Sequence, residues 1–303
     1  MKTPRYSAMF SGPLLAMICC VAIGCGKDEP APPVEAIPAD DAPGPAAATD
    51  PTDAPTETAE APPAEGGWGN LTGTFVVDGS ASEQQPLNIT KDVEFCTQNP
   101  PLSEAVVVNE ANGGLKNVVV YLYLSRGDDP PPVHESYAAG ATEPVTLDNQ
   151  WCRFDDHIVG VRTGQTLVVQ NSDQVAHNTK IDALANAPIN PILPAGAEVE
   201  KVFEREERLP IQVSCSIHPW MQGYVVVKDH PYFAITDENG HFEIKNLPTG
   251  DWSFQVWHET AGYMDEVEVD GEETEWSKGR VDVAISPGDN QLGEVQLAAD
   301  LFE

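Results

Sequence analysis

Pro210-Ile211-Gln212-Val213-Ser214-Cys215-Ser216-Ile217-His218-Pro219-Trp220-Met221-Gln222-Gly223-Tyr224-Val225-Val226-Val227-Lys228 decides how this chain is read. Pro210–Cys215 and Gly223–Lys228 read as strands, the first alternating and the second nearly continuous in apolar residues. The loop between them carries a thiol, an imidazole and a thioether at three-residue spacing, and a tight turn brings three such side chains to one point. A second imidazole comes from Val175-Ala176-His177-Asn178, directly after the strand-like run Thr166–Asn171.

Thiolate and thioether are soft donors that select copper over hard cations. Cys, two His and a distant Met are the ligand types of a trigonal blue-copper site with Met in the axial position. The expected ligands are therefore His177, Cys215 and His218, with Met221 axial, for one type 1 copper. Four protein ligands leave no open position for a substrate, so the expected chemistry is one-electron transfer and the chain reads as a non-enzyme. The sequence carries no zinc-protease motif, no nucleophile elbow and no convincing acid pair; adjacent carboxylates such as Asp155-Asp156 are commonplace in so acidic a chain.

Outward from that loop, strand-like runs recur at Gly73–Val77, Ala105–Val108, Lys116–Leu124, Ile158–Val161 and Ala197–Phe203, punctuated by Gly, Pro, Asn and Asp. Ala183–Pro194 reads as an irregular loop. Short strands at this spacing predict an all-β sandwich. A second module begins near His230. Phe233–Thr236 and Gly240–Ile244 flank Asp237-Glu238-Asn239-Gly240, in which Asn-Gly signals a hairpin. Further strands are expected at Trp252–Trp257, Glu266–Val269, Arg280–Ser286 and Leu292–Leu297.

The order His177…Cys215-x2-His218-x2-Met221 resembles the cupredoxins, most closely the amicyanin and plastocyanin group. The likeness spans roughly Leu115–Lys228; the Ile181–Pro194 loop departs from it. It implies a Greek-key sandwich and an Asn178 that ties the two ligand-bearing loops together. It also implies an electron-exchange patch at Pro219 and Trp220, around the exposed edge of His218. A c-type cytochrome or a quinoprotein dehydrogenase is the implied partner. Thr236–Gly250 resembles the carboxypeptidase-regulatory or prealbumin-like sandwich, an Ig-like fold. A similar pattern in polysaccharide-active proteins admits polysaccharide contact here, with Trp252, Trp257 and Trp276 either stacking on sugar or packing in the core.

The N-terminal part reads as targeting. A basic start, an apolar Leu14–Gly24 and the closing Ala22-Ile23-Gly24-Cys25 resemble a bacterial lipoprotein signal, with residues 1–24 removed and Cys25 lipidated. Residues 25–66 form a disordered spacer: ten prolines, eleven alanines and ten acidic residues accompany one lysine and no aromatic between Gly26 and Gly66. The expected domains are then 67–229, cupredoxin-like with an N-terminal extension, and 230–303, the smaller sandwich. The expected location is the bacterial cell envelope, periplasmic or surface-facing, held by the lipid alone.

The net charge of −32 argues against nucleic acid, which needs a basic footprint, and suits a basic partner instead. Among six cysteines, Cys19 and Cys20 leave with the signal and Cys25 is the lipidation candidate. An oxidising compartment pairs thiols, so Cys96 is expected to bond Cys152, leaving Cys215 free; a second metal site built on Cys152 and His157 is the other reading. His134, His230, His241 and His258 read as surface residues. Besides an electron carrier, the alternatives are a carbohydrate-binding or structural envelope lipoprotein and a copper storage or delivery protein.

Overall fold

A computed structural model of the chain describes residues 66–79 and 83–302. The expected signal segment, Cys25 and the spacer through residue 65 lie outside them. Among the described residues no helix is long and apolar enough to cross a membrane.

The architecture is all-β, in two sandwiches. The first packs a sheet ordered Glu198–Val202, Thr166–Asn171, Val145–Gln150, Arg153–Asp155 against one ordered Ile158–Arg162, Gln222–Lys228, Ile211–Ser214, Lys180–Ile181. Alternation drives this. Leu167 and Val169 point inward from one sheet, Val213, Val225 and Val227 from the other, and Phe154 and Phe203 fill the space between, all essentially inaccessible. Burying each of these side chains contributes about 1.5–3 kcal/mol.

The second sandwich crosses the boundary expected at 229/230. One of its sheets is ordered His241–Pro248, Trp68–Asp78, Gly288–Ala298, Glu266–Val269, Glu272–Glu275. The other is ordered Phe233–Ile235, Val119–Leu122, Gly250–His258, Gly262–Tyr263, with Arg280–Ile285 beside Gly250–His258. Trp68–Asp78 and Val119–Leu122, expected within the first domain, are thus strands of the second. The cause is packing: Leu71, Phe75 and Val77 on alternate positions of the first strand meet Phe242, Phe254 and Leu297.

Val119–Leu122 is buried at all four positions. Val120 and Leu122 face the core of the second sandwich, while Val119 and Tyr121 meet Ile158 and Val226 of the first. That explains the continuous apolar runs in both Lys116–Leu124 and Gly223–Lys228. Each supplies a strand wetted on neither face.

The turn at Asp237–Gly240 forms, with the Gly240 N–H donating to the Asp237 carbonyl at 3.0 Å, but its flanks do not pair as a hairpin. Phe233–Ile235 pairs with Val119–Leu122 and His241–Pro248 with Trp68–Asp78, so the turn bridges two sheets. Thr236 pulls one flank away by donating to the Leu115 carbonyl and accepting from the Val118 N–H. Gly240 adopts φ +74°, and a Cβ there would collide with the Phe75 carbonyl oxygen. Trp276 is buried, and Trp252 packs against the same core. Trp257 packs at the contact between the sandwiches.

Candidate metal centre

The structure brings His177, Cys215 and His218 together in the first sandwich, all three buried, with one ligand atom from each lying within 4.8 Å of the others. The imidazole Nδ1 atoms of His177 and His218 are 2.9 Å apart, and Cys215 Sγ is 3.8 Å from His218 Nδ1. Cys215 follows the strand Ile211–Ser214. The loop after it is closed by Met221 N–H donating to the His218 carbonyl at 2.9 Å and Cys215 N–H donating to the Met221 carbonyl at 3.3 Å. His177 lies on a two-residue strand, His177–Asn178, paired with Ile192–Leu193. The loop expected to be irregular therefore contributes the strand that seats this histidine.

Asn178 links the two ligand-bearing segments. Its Oδ1 accepts from the backbone N–H groups of Ser216 at 2.7 Å and Ile217 at 3.1 Å, and its own N–H points at Cys215 Sγ at 3.5 Å. Met221 is buried at 1 % exposure and packs in the same core cluster as Cys215.

Both imidazoles turn their outer nitrogen to a carboxylate. His177 Nε2 is 2.9 Å from Asp173 Oδ2, and His218 Nε2 is 2.9 Å from Asp92 Oδ2. Asp173 is buried and also accepts from the Trp151 and Cys152 N–H groups, at 2.6 and 2.8 Å. A carboxylate on the far nitrogen fixes the tautomer and aims the near nitrogen inward, the usual support of a metal-binding histidine. Neither aspartate was singled out in the sequence. Asp173 precedes His177 by four residues and Asp92 precedes His218 by 126, and both are lost among 48 acidic residues.

The electrostatics suit a thiolate. Burial by itself would raise the Cys215 thiol, but hydrogen bonds from His177 and His218, then from the Asn178 and His218 backbone, lower its pKa to about 6. Burial by itself would lower the His177 imidazole, yet the Asp173 carboxylate and the Cys215 sulfur raise its pKa. Thiolate, two imidazoles and a nearby thioether form a donor set that fits copper.

Cys96 and Cys152 form a disulfide, with 5.5 Å between their Cα atoms, and Cys215 is the free cysteine among the described residues. Cys152 is therefore no partner for a metal at His157, whose imidazole lies between Glu259 at Nε2 and Glu104 at 3.9 Å from Nδ1. The expectation of an exposed His218 edge is overturned. His218 is 0 % exposed and Asp92 covers its outer nitrogen. Pro219 is exposed, whereas Trp220 is half-buried and donates its indole N–H to the Cys152 carbonyl at 3.0 Å. His230 and His258 are also buried rather than surface residues: His230 bonds the Leu122 carbonyl, and His258 ends the strand Gly250–His258 with its ring edge-on to Phe302.

No family model matches the chain and no curated protein is significantly similar to it. Solved structures that match part of it include the Cu-containing nitrite reductase NirK from Thermus scotoductus SA-01, at 20% identity and TM-score 0.26, over 35% of this chain and 25% of that one. A purple cupredoxin from Nitrosopumilus maritimus matches at 27% identity and TM-score 0.24, over 28% of this chain and 99% of that one. A point mutant of amicyanin in its reduced state matches at 20% identity and TM-score 0.26, over 36% of this chain and 98% of that one. The match with the nitrite reductase thus spans about a quarter of that enzyme's length.

Proposed function

We propose that the chain is a type 1 copper protein that carries single electrons in the bacterial cell envelope, tethered through a lipid on Cys25. The observation that carries this reading is the convergence of the Cys215 thiol with the Nδ1 atoms of His177 and His218, each imidazole backed by a carboxylate. These three atoms would hold the ion, with Met221 as the axial ligand. Copper bound there would supply a one-electron couple. The residues themselves keep water away, hold the thiol ready to deprotonate and resist rearrangement through Asn178 and the two aspartates. A soluble redox protein, such as a c-type cytochrome or a quinoprotein dehydrogenase, is the partner class proposed.

The test is Cu(II) titration of the full chain, followed by visible absorption and EPR. An intense thiolate band with narrow copper hyperfine coupling is expected, and Cys215→Ala should abolish both. A colourless chain that binds Cu(I) alone would favour copper delivery and overturn the carrier reading.

A second reading has one observation in its favour. Two adjoining depressions of about 470 and 490 Å³ share Tyr121, Tyr123 and Arg208. Arg126, Lys278 and Arg280 line them too, and among the described residues these four cations make no ion pair. The Arg280 guanidinium sits 3.9 Å over the Tyr123 ring. Asp128, Glu206, Asp229 and Asp265 line the depressions as well, and it is the unpaired cations beside aromatic faces that suit a uronate-bearing polysaccharide, bound away from the tryptophans. Retention on a uronate polymer that Arg208→Ala with Arg280→Ala weakens about tenfold would support it; equal retention would remove it.

A further inference from the structure

Asp92 stands at the N-cap position of the four-residue helix Val93–Cys96, in the left-handed region at φ 45° and ψ 41°. Aspartate in that position ordinarily caps its own helix by accepting a backbone N–H. This one makes no such bond. Its carboxylate reaches out of the helix to His218 Nε2 at 2.9 Å, so a mildly strained backbone accompanies a contact made elsewhere.

The segment that carries it is built as a closed loop. Its base is fixed by Leu87 N–H donating to the Pro101 carbonyl at 3.2 Å and Ser103 N–H donating to the Gln85 carbonyl at 2.8 Å. Its tip is fixed by the Cys96–Cys152 disulfide, four residues from Asp92. Cys152 in turn donates its N–H to Asp173, the carboxylate behind His177. The two supports of the two histidines are therefore joined through one covalent bridge. The outer nitrogen of His218 is closed by this loop, and the ring has no exposed surface.

We infer that residues 84–103 form a disulfide-anchored cap over the metal centre, and that Asp92 is a positioning residue for His218. The cap holds the ring by its outer nitrogen and keeps any redox partner from touching the ligand itself, so electrons must cross the cap. The inference deepens the copper reading and rests on it in one arm of its test only.

The first arm needs no metal. Diethylpyrocarbonate acylates accessible imidazole nitrogens, and peptide mass spectrometry locates the label. In the full chain His218 should resist labelling while exposed His241 reacts. Asp92→Ala should raise the His218 rate at least tenfold with no change at His241. The second arm measures Cu(II) affinity by competition with a chelator. Asp92→Asn, which keeps the side chain's size, should weaken binding about 10–100-fold, and Asp92→Glu should recover part of the loss. Rapid labelling of His218 in the unaltered chain, or Asp92 variants that match it in both labelling and affinity, would overturn the cap. Should the unaltered chain take up no copper, the copper reading fails while the labelling arm still judges the cap.

Discussion

Four histidines in this molecule have 2 % exposure or less, two in each sandwich's environment, and they are treated in opposite ways. His177 and His218, beside Cys215, each face a carboxylate. His230 and His258, in the second sandwich, face none. His230 bonds the Leu122 carbonyl and accepts from the Tyr232 N–H, while His258 accepts from the Thr260 N–H and leaves Nε2 without a partner. Burial, helped by Lys228 in one case and His157 in the other, lowers both to a pKa of about 4. The same residue type at the same depth is an inert filler in one sandwich and an oriented donor in the other. The carboxylate makes the difference.

Removing that carboxylate is the strongest way to break the contrast. Asp173→Ala leaves three donors without that acceptor: the buried Cys152 N–H and His177 Nε2, and the part-buried Trp151 N–H. Stripping one partner from such a buried network costs about 3–5 kcal/mol. Urea unfolding of the metal-free protein should show a loss of that order. A change under about 1 kcal/mol, the worth of an ordinary hydrogen bond, would put His177 in the same class as His258.

Acid titration probes the other side. His230 and His258, lowered to about 4, stay neutral in the folded chain where a free imidazole near 6.5 would already be charged. As pH falls from about 6.5 towards 4, the unfolded chain therefore binds protons that the folded chain refuses, and stability declines over that window. His177, with its pKa raised, carries the opposite sign: its contribution is full at low pH and is lost as pH rises through its folded value. Denaturant midpoints across this range should show a fall on the acid side that is shallower in His258→Met. At neutral pH the same substitution is the mildest change here. It removes an unpaired nitrogen, leaves the N–H of exposed Thr260 to water and nearly conserves volume, so it should cost less than about 1.5 kcal/mol. A larger cost would mean that His258 does more than fill space.

Much of this was legible in advance. The candidate ligand loop announces itself because Cys215, His218 and Met221 are close in sequence, and Asn178 through the resemblance, in which an asparagine follows the first histidine. Most strands followed from alternation. What escaped was non-local. Val145–Gln150 is a strand whose buried Asp148 and Asn149 break the apolar pattern, since they hydrogen-bond Ser172 and Thr179. The pairing of Trp68–Asp78 with residues 241–298 has no local signal, because either sandwich could accept an alternating strand. Asp92 and Asp173 are ordinary acidic residues until the fold places them against an imidazole. The exposed edge expected of His218 belonged to the resemblance, and the segment that closes it lies where the resemblance ends.

Trp68–Asp78 runs parallel to Gly288–Ala298 through ten paired positions, from Gly69 beside Gly288 to Asp78 beside Ala298. The first and last described strands are thus neighbours, and the sandwich that holds His177, Cys215 and His218 is spliced into the chain between them. A ribosome delivers the inner sandwich whole while the outer one still waits for its closing strand. Order of emergence therefore favours an inner sandwich that can assemble first and an enclosing sandwich that seals last, by joining its first and last described strands. Shortening the protein from its C-terminus should dismantle the enclosure while sparing every strand that builds the metal centre.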